Sequence, residues 1–178
     1  MKKSNFLLIA LFAALVMASS CRRENNCSNC NNNNGANVAS STVTVNSSDW
    51  RWENPSWRVD IDYNNITENV TDYGAVLVYM DYGNTWRQIP LTYYYSANDT
   101  QGNVVYCSSS LEVSTYDKGV SIFWTENDMI NIGAPEPHKF KIVVIEANIY
   151  AARSDVDFSE YDAVRKAFNI TYEREVEL

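Results

Sequence analysis

Few side chains in this sequence have the types and spacing that chemistry requires. The single histidine, His138, follows Pro137 and opens a segment carrying Lys139 and Lys141, which suits a solvated strand end. A Ser-His-Asp triad would need it as the base, and no G-x-S-x-G elbow accompanies it. Hydrolysis by two carboxylates needs no histidine. Asp60 and Asp62 are two apart on one strand face, and Glu126 and Asp128 fall in a loop further along. Alternating acids are, however, what any half-buried sheet turns toward water. A carboxylate pair, Asp60 or Asp62 with Glu126, is therefore the alternative reading and not the leading one.

Metal chemistry fares no better. Cys27-Ser28-Asn29-Cys30 would need two more ligands to hold zinc, and only Cys107 and His138 remain, far along the chain. Calcium would draw on Glu126-Asn127-Asp128 or Asn98-Asp99, without the spacing of an EF-hand. No metal and no other cofactor is expected. As a redox motif the C-x-x-C lacks a βαβ context and a helix N-terminus to lower a thiol pKa. A local or intermolecular disulfide in an oxidising compartment suits it better. Cys107, within Val104-Val105-Tyr106-Cys107, reads as a small buried hydrophobe on a strand.

The aromatics are the surplus. Five Trp and twelve Tyr stand in 178 residues. Trp50, Trp52 and Trp57 crowd one segment, and Tyr93, Tyr94 and Tyr95 are consecutive. Consecutive tyrosines on a strand must alternate faces, so at least one reaches solvent unless another element covers it. These six are the candidate ligand-binding residues, able to stack on sugar rings or to dock a protein. Sandwich cores and edges also consume aromatics, and that competing use stays open.

Positioning them requires strands. Trp57-Arg58-Val59-Asp60-Ile61-Asp62-Tyr63 alternates apolar and charged, as a half-buried strand does. Tyr73 to Met80 is nearly all apolar, which suggests a strand buried on both faces. Further strands are expected over 85–89, 91–95, 104–108, 111–116, 120–125 and 138–147, with turn chemistry at Asp81–Asn84, Asn98–Gly102 and Asp117–Gly119. Pro90 marks a break or an edge. About eight or nine short strands without helical period give an all-β fold, an antiparallel β-sandwich. Asp157-Phe158-Ser159-Glu160 has the form of a capping box, and Tyr161, Val164 and Phe168 recur at helical spacing. A short C-terminal helix over 159–168 should lie across one sheet edge.

Ahead of the sandwich, Lys2 and Lys3 precede twelve apolar residues, Phe6 to Met17, and then the small Ala18-Ser19-Ser20. That is an export signal, too short to span a bilayer, which takes about 20 residues. Residues 21–41 then carry eight asparagines among Ser, Gly and Ala. Such a run cannot bury enough surface to offset its ordering entropy, and reads as a tether reaching roughly 25 Å. The expected organisation is a signal over 1–20, a tether over 21–41 and the sandwich over 42–178.

Ala18-Ser19-Ser20-Cys21 resembles the lipobox of bacterial lipoproteins, in which the cysteine becomes the lipidated first residue. The resemblance implies acylation of Cys21, and more than one chain at about 0.8 kcal/mol per buried CH₂ would make the anchor lasting. Arg22 follows where an Asp would imply retention at the inner membrane, so the outer membrane is implied, facing the periplasm or the cell surface. Lipidation leaves three thiols, an odd number.

The folded part is similar to a group of uncharacterised Bacteroidota lipoproteins and collagen-like-stalk proteins. The likeness lies in Ser47 to Trp50, Ile66-Thr67-x-x-Val70, Tyr73 to Tyr79, Trp86-x-x-Ile89-Pro90, Phe140 to Ile145 and Val156-Asp157-Phe158-x-x-Tyr161. It implies an anchored β-sandwich and conveys no activity.

Charge narrows the partners. The net charge of −8, and −10 once Lys2 and Lys3 leave with the signal, excludes the basic face of a nucleic-acid binder. The membrane is met through the lipid, and a glycan or an envelope protein is the remaining partner class. The expected function is a non-catalytic, lipid-anchored binding or interaction module of the cell envelope; a glycan hydrolase and a purely structural envelope component are the alternatives.

Overall fold

The computed structural model describes residues 38–98, 101–127, 133–171 and 174–178. Cys21, Cys27, Cys30, Asp99 and Asp128 lie outside them, as do the segment expected to be an export signal and most of the expected tether. Among the described residues the strands are β1 (Val38–Val45), β2 (Arg51–Glu53), β3 (Ser56–Asp62), β4 (Ala75–Tyr82), β5 (Thr85–Gln88), β6 (Leu91–Asn98), β7 (Val104–Tyr116), β8 (Gly119–Glu126), β9 (His138–Ile145) and β10 (Arg174–Glu177). They form two five-stranded sheets, ordered β10-β1-β9-β4-β5 and β2-β3-β8-β7-β6. The fold is an all-β sandwich. Three short helices accompany it: α1 (Glu68–Tyr73), α2 (Ala147–Ala151) and α3 (Tyr161–Ala167). Among the described residues no helix is long and apolar enough to cross a membrane.

Period-two patterning accounts for the layers. Val43, Val45, Val78, Met80, Phe140 and Ile142 face Val59, Ile61, Leu111, Ile122 and Trp124 across the interior. Each inward residue has an outward neighbour one position along, so one strand serves core and surface at once. β4 and β9 bury both faces, because Leu77, Tyr79, Val143 and Ile145 lie under Tyr161 and Val164 of α3. The Tyr79 hydroxyl donates to the Phe158 carbonyl at 2.6 Å, tying that segment down. Burial pushes the Tyr79 pKa well up, so the hydroxyl remains a donor.

Several expectations need correction. β1 begins at Val38, so residues 38–41 belong to the sheet and not to the tether; they pair in full with β9, and the Ser41 hydroxyl meets that of Tyr63 at 2.9 Å. β7 is one strand, not two. Its central serines do not break it, because Ser109 donates to Glu126 and Ser110 bonds Thr92 across the sheet. β10 pairs with β1 in parallel, so the fold is not wholly antiparallel. α1 had no legible period because it buries only Val70. α3 starts two residues later than expected: Asp157 accepts from the Ser159 amide and hydroxyl in a turn ahead of the helix instead of capping it. Where α3 begins, Glu160 bridges Arg87, covering the outer edge of β5.

Candidate functional site

At one end of the sandwich, residues from both sheets turn inward together. β6 places Tyr93 and Tyr95 inward, opposite Ser109 and Cys107 of β7. β8 carries Trp124 and Glu126 on the same face. From the other sheet come Tyr82, at the end of β4, and His138, at the start of β9. Their rings bridge the layers: Tyr82 lies 5.7 Å from Tyr93, Tyr93 6.0 Å from Trp124, and Trp124 4.8 Å from His138, which stacks on it. Met80, Asp81, Tyr82, Gly83, Tyr93 and His138 enclose a cleft of about 430 Å³. Gly83 makes its turn possible with φ at 71°, a region that penalises a Cβ.

Behind the rings, the Glu126 carboxylate accepts from Tyr95 Oη at 2.7 Å, Ser109 Oγ at 2.8 Å and Trp124 Nε1 at 2.6 Å. Three donors on one carboxylate fix its orientation and, through it, the tilt of two of the aromatic side chains. Burial pushes the Tyr93 pKa up, partly countered by a hydrogen bond with Ser109. Tyr93 is therefore a neutral hydroxyl, donor and acceptor beside an apolar ring face.

His138 is not the solvated strand-end residue expected from its neighbours. It is half-buried against Trp124, and burial holds its pKa below the ordinary histidine value, opposed by Glu136 and Asp81. A depressed folded pKa means that the unfolded chain takes up the proton first. Stability from this group is therefore complete above about pH 6.5 and is lost as pH falls below it. The urea midpoint should drop between pH 7 and pH 5, and His138→Phe should remove part of that slope. A midpoint slope identical in the two proteins would contradict this.

The carboxylate pair fails on geometry. Asp60 points away from the core and accepts from Ser121 Oγ at 2.6 Å, Arg58 Nε at 2.8 Å and Arg51. Burial alone would raise its pKa, but those hydrogen bonds outweigh it and hold the carboxyl below its usual value. Ser121, its neighbour in register, is five residues before Glu126 on β8. An odd offset puts the two acids on opposite faces, and five residues separate them by roughly 17 Å along the strand. Asp62, opposite Gly119, is farther still.

The six aromatics expected to bind are divided. Trp50 is in the core, its ring 6.1 Å from Trp124, and its Nε1 has no hydrogen-bond partner among the described residues. Trp52 and Trp57 pair edge to face at 5.3 Å across the β2–β3 hairpin. Tyr93 and Tyr95 reach the cleft end, while Tyr94 points out from the sheet. Tyr82, Trp124 and His138 were not foreseen in this role. Parity along Val120, Ile122 and Trp124 would have put Trp124 and Glu126 on the core face. Nothing local, however, pointed across to Tyr82 or His138 on the other sheet.

A second hollow, about 420 Å³, lies over the outer face between Trp86, Lys141, Tyr161 and Arg165. Its charges are engaged: the Lys141 ammonium sits 4.5 Å over the Trp86 ring and 4.2 Å over that of Tyr161, and Arg165 pairs with Asp162 at 3.6 Å. Among the described residues no three His, Cys, Asp or Glu side chains converge as a metal site would require. No protein-family model, curated protein or solved structure matches the chain.

Proposed function

We propose that this protein is a non-catalytic, lipid-anchored binding module of the cell envelope. Cys21 holds it at the outer membrane, and a neutral glycan is taken in the cleft between Tyr82, Tyr93 and His138. The supporting observation is the convergence of Tyr82, Tyr93 and His138 from two sheets onto one cleft beside Asp81, with Trp124 packed behind Tyr93 and His138. Sugar rings present C–H faces that pack on aromatics and hydroxyls that donate to a carboxylate, and the cleft offers both. Among the described residues the lining carries Asp81 and no lysine or arginine, and the guanidinium beside it, Arg87, is stacked 5.2 Å over the Tyr82 ring, which favours a neutral glycan over an anion. The separation of Asp60 from Glu126 weighs against the hydrolase alternative.

The test is a glycan array, followed by calorimetric titration of any hit. Tyr93→Ala and Tyr82→Ala should each weaken binding by about tenfold or more, the loss of one stacking surface. An empty array, or affinities that both variants leave intact, would overturn the reading of the cleft. Anchoring is read separately: Cys21→Ala should move the protein from the membrane fraction to the soluble one.

A further inference from the structure

The two sheets have four edges, and three are blocked. β2 is three residues long, with Arg51 paired to Asp60 and Glu53 to Arg58. β5 is four residues long and bridges Glu160 through Arg87. β10 is four residues long and carries Arg174 and Glu175. Short length, charge and cover are the usual devices by which a sheet edge avoids pairing with another chain.

Among the described residues β6 has none of them. It runs eight residues, Leu-Thr-Tyr-Tyr-Tyr-Ser-Ala-Asn, without a charge or a proline, and among the described residues only β7 pairs with it. Its outward side chains are Thr92, Tyr94, Ser96 and Asn98, continued on β7 by Val104 and Tyr106. Tyr94 is 82% exposed and Tyr106 89%. An edge of that length offers a row of backbone donors and acceptors to an incoming strand.

We propose that the occupant of this edge is β6 of a second copy of the same chain, paired antiparallel about a two-fold axis that joins the two sheets side by side. Self-complementarity argues for a copy. A chain of net charge −8 repels its own likeness, and this uncharged edge is where two copies meet without a like-charge contact, hydroxyl facing hydroxyl and ring facing ring. Parity fixes the register. A two-fold axis normal to the sheet keeps outward residues outward, so facing residues share parity and the axis passes through a residue. Centred on Tyr94, it overlaps about seven residues of each strand, pairs Thr92 with Ser96 of the other copy, and sets the two exposed tyrosines side by side. Centring on Tyr95 would instead press together two inward tyrosines already bonded to Glu126.

The experiment is sedimentation equilibrium of the full chain in density-matched detergent. The expected result is a mass of two chains. Tyr94→Lys, which brings two ammonium groups face to face, should weaken the dimer by about tenfold or more. Tyr106→Lys, equally exposed but one strand in from the edge, should leave it unchanged. Ser96→Lys gives a second edge variant should Tyr94→Lys not fold. A single-chain mass at every concentration overturns the proposal. So does a dimer indifferent to both edge lysines, or one lost equally through Tyr106→Lys, which would be contact through the flat face.

Discussion

Trp124→Ala is expected to lower the unfolding free energy by about 3–5 kcal/mol, the largest effect of any single truncation at this end of the sandwich. The side chain is 5% exposed and fills the space where the interior narrows toward the cleft. Its ring meets Trp50 at 6.1 Å, Tyr93 at 6.0 Å and His138 at 4.8 Å, contacts that alanine would all forfeit. The indole also donates to Glu126, so truncation leaves that carboxylate short of one bond. A domain of this size has roughly 5–15 kcal/mol in total, so the variant would sit near the margin of folding. Trp124→Phe isolates the hydrogen-bond component: it keeps a ring, loses the N–H, and should cost about 1–2 kcal/mol. Urea unfolding with an unchanged slope measures both. A loss below about 1 kcal/mol for the alanine variant would show that neighbouring rings collapse into the space.

Both layers of this fold can be traced to alternation that is visible along single strands. Val59 and Ile61, or Ile122 and Trp124, declare their face without any knowledge of the partner strand. What alternation cannot declare is which strands become neighbours, and the errors fall there. Ser109 and Ser110 read as a gap because serine is a weak strand former, yet their hydroxyls find Glu126 and Thr92 only once β8 and β6 flank β7. β10 has four residues and pairs with β1, far back in the chain, a non-local pairing that no window of sequence contains. The cleft has the same character. Tyr82 and Tyr93 are near in sequence but on different sheets, with Pro90 at the crossover, so their contact at 5.7 Å follows from topology and not from spacing. The tyrosine triplet did announce that one ring must leave the core. Tyr94 does so, on the sheet edge that its length and lack of charge set apart.

Glu126→Ala should cost about 2–4 kcal/mol, more than its partial exposure suggests, because the expense lies in what it leaves behind. Tyr95 Oη, Ser109 Oγ and Trp124 Nε1 all donate to this carboxylate within 2.8 Å, and alanine supplies no acceptor for any of them. Removing one partner of a buried hydrogen bond strands the other, whereas removing both can be close to neutral. The triple variant Glu126→Leu, Tyr95→Phe, Ser109→Ala is therefore expected to be more stable than Glu126→Ala alone, a reversal that a simple sum of losses forbids. Glu126→Gln keeps one acceptor oxygen but turns an amide NH₂ toward the remaining donors, and should fall between. The same substitution separates a held carboxylate from a catalytic one. An acid catalyst replaced by glutamine loses turnover while the fold stands. Here glutamine should instead lower the denaturant midpoint and weaken glycan binding together, as Tyr95 and Trp124 lose the group that sets their tilt. Any hydrolysis by the parent chain that Glu126→Gln abolished at unchanged stability would make Glu126 the reacting acid and not the brace.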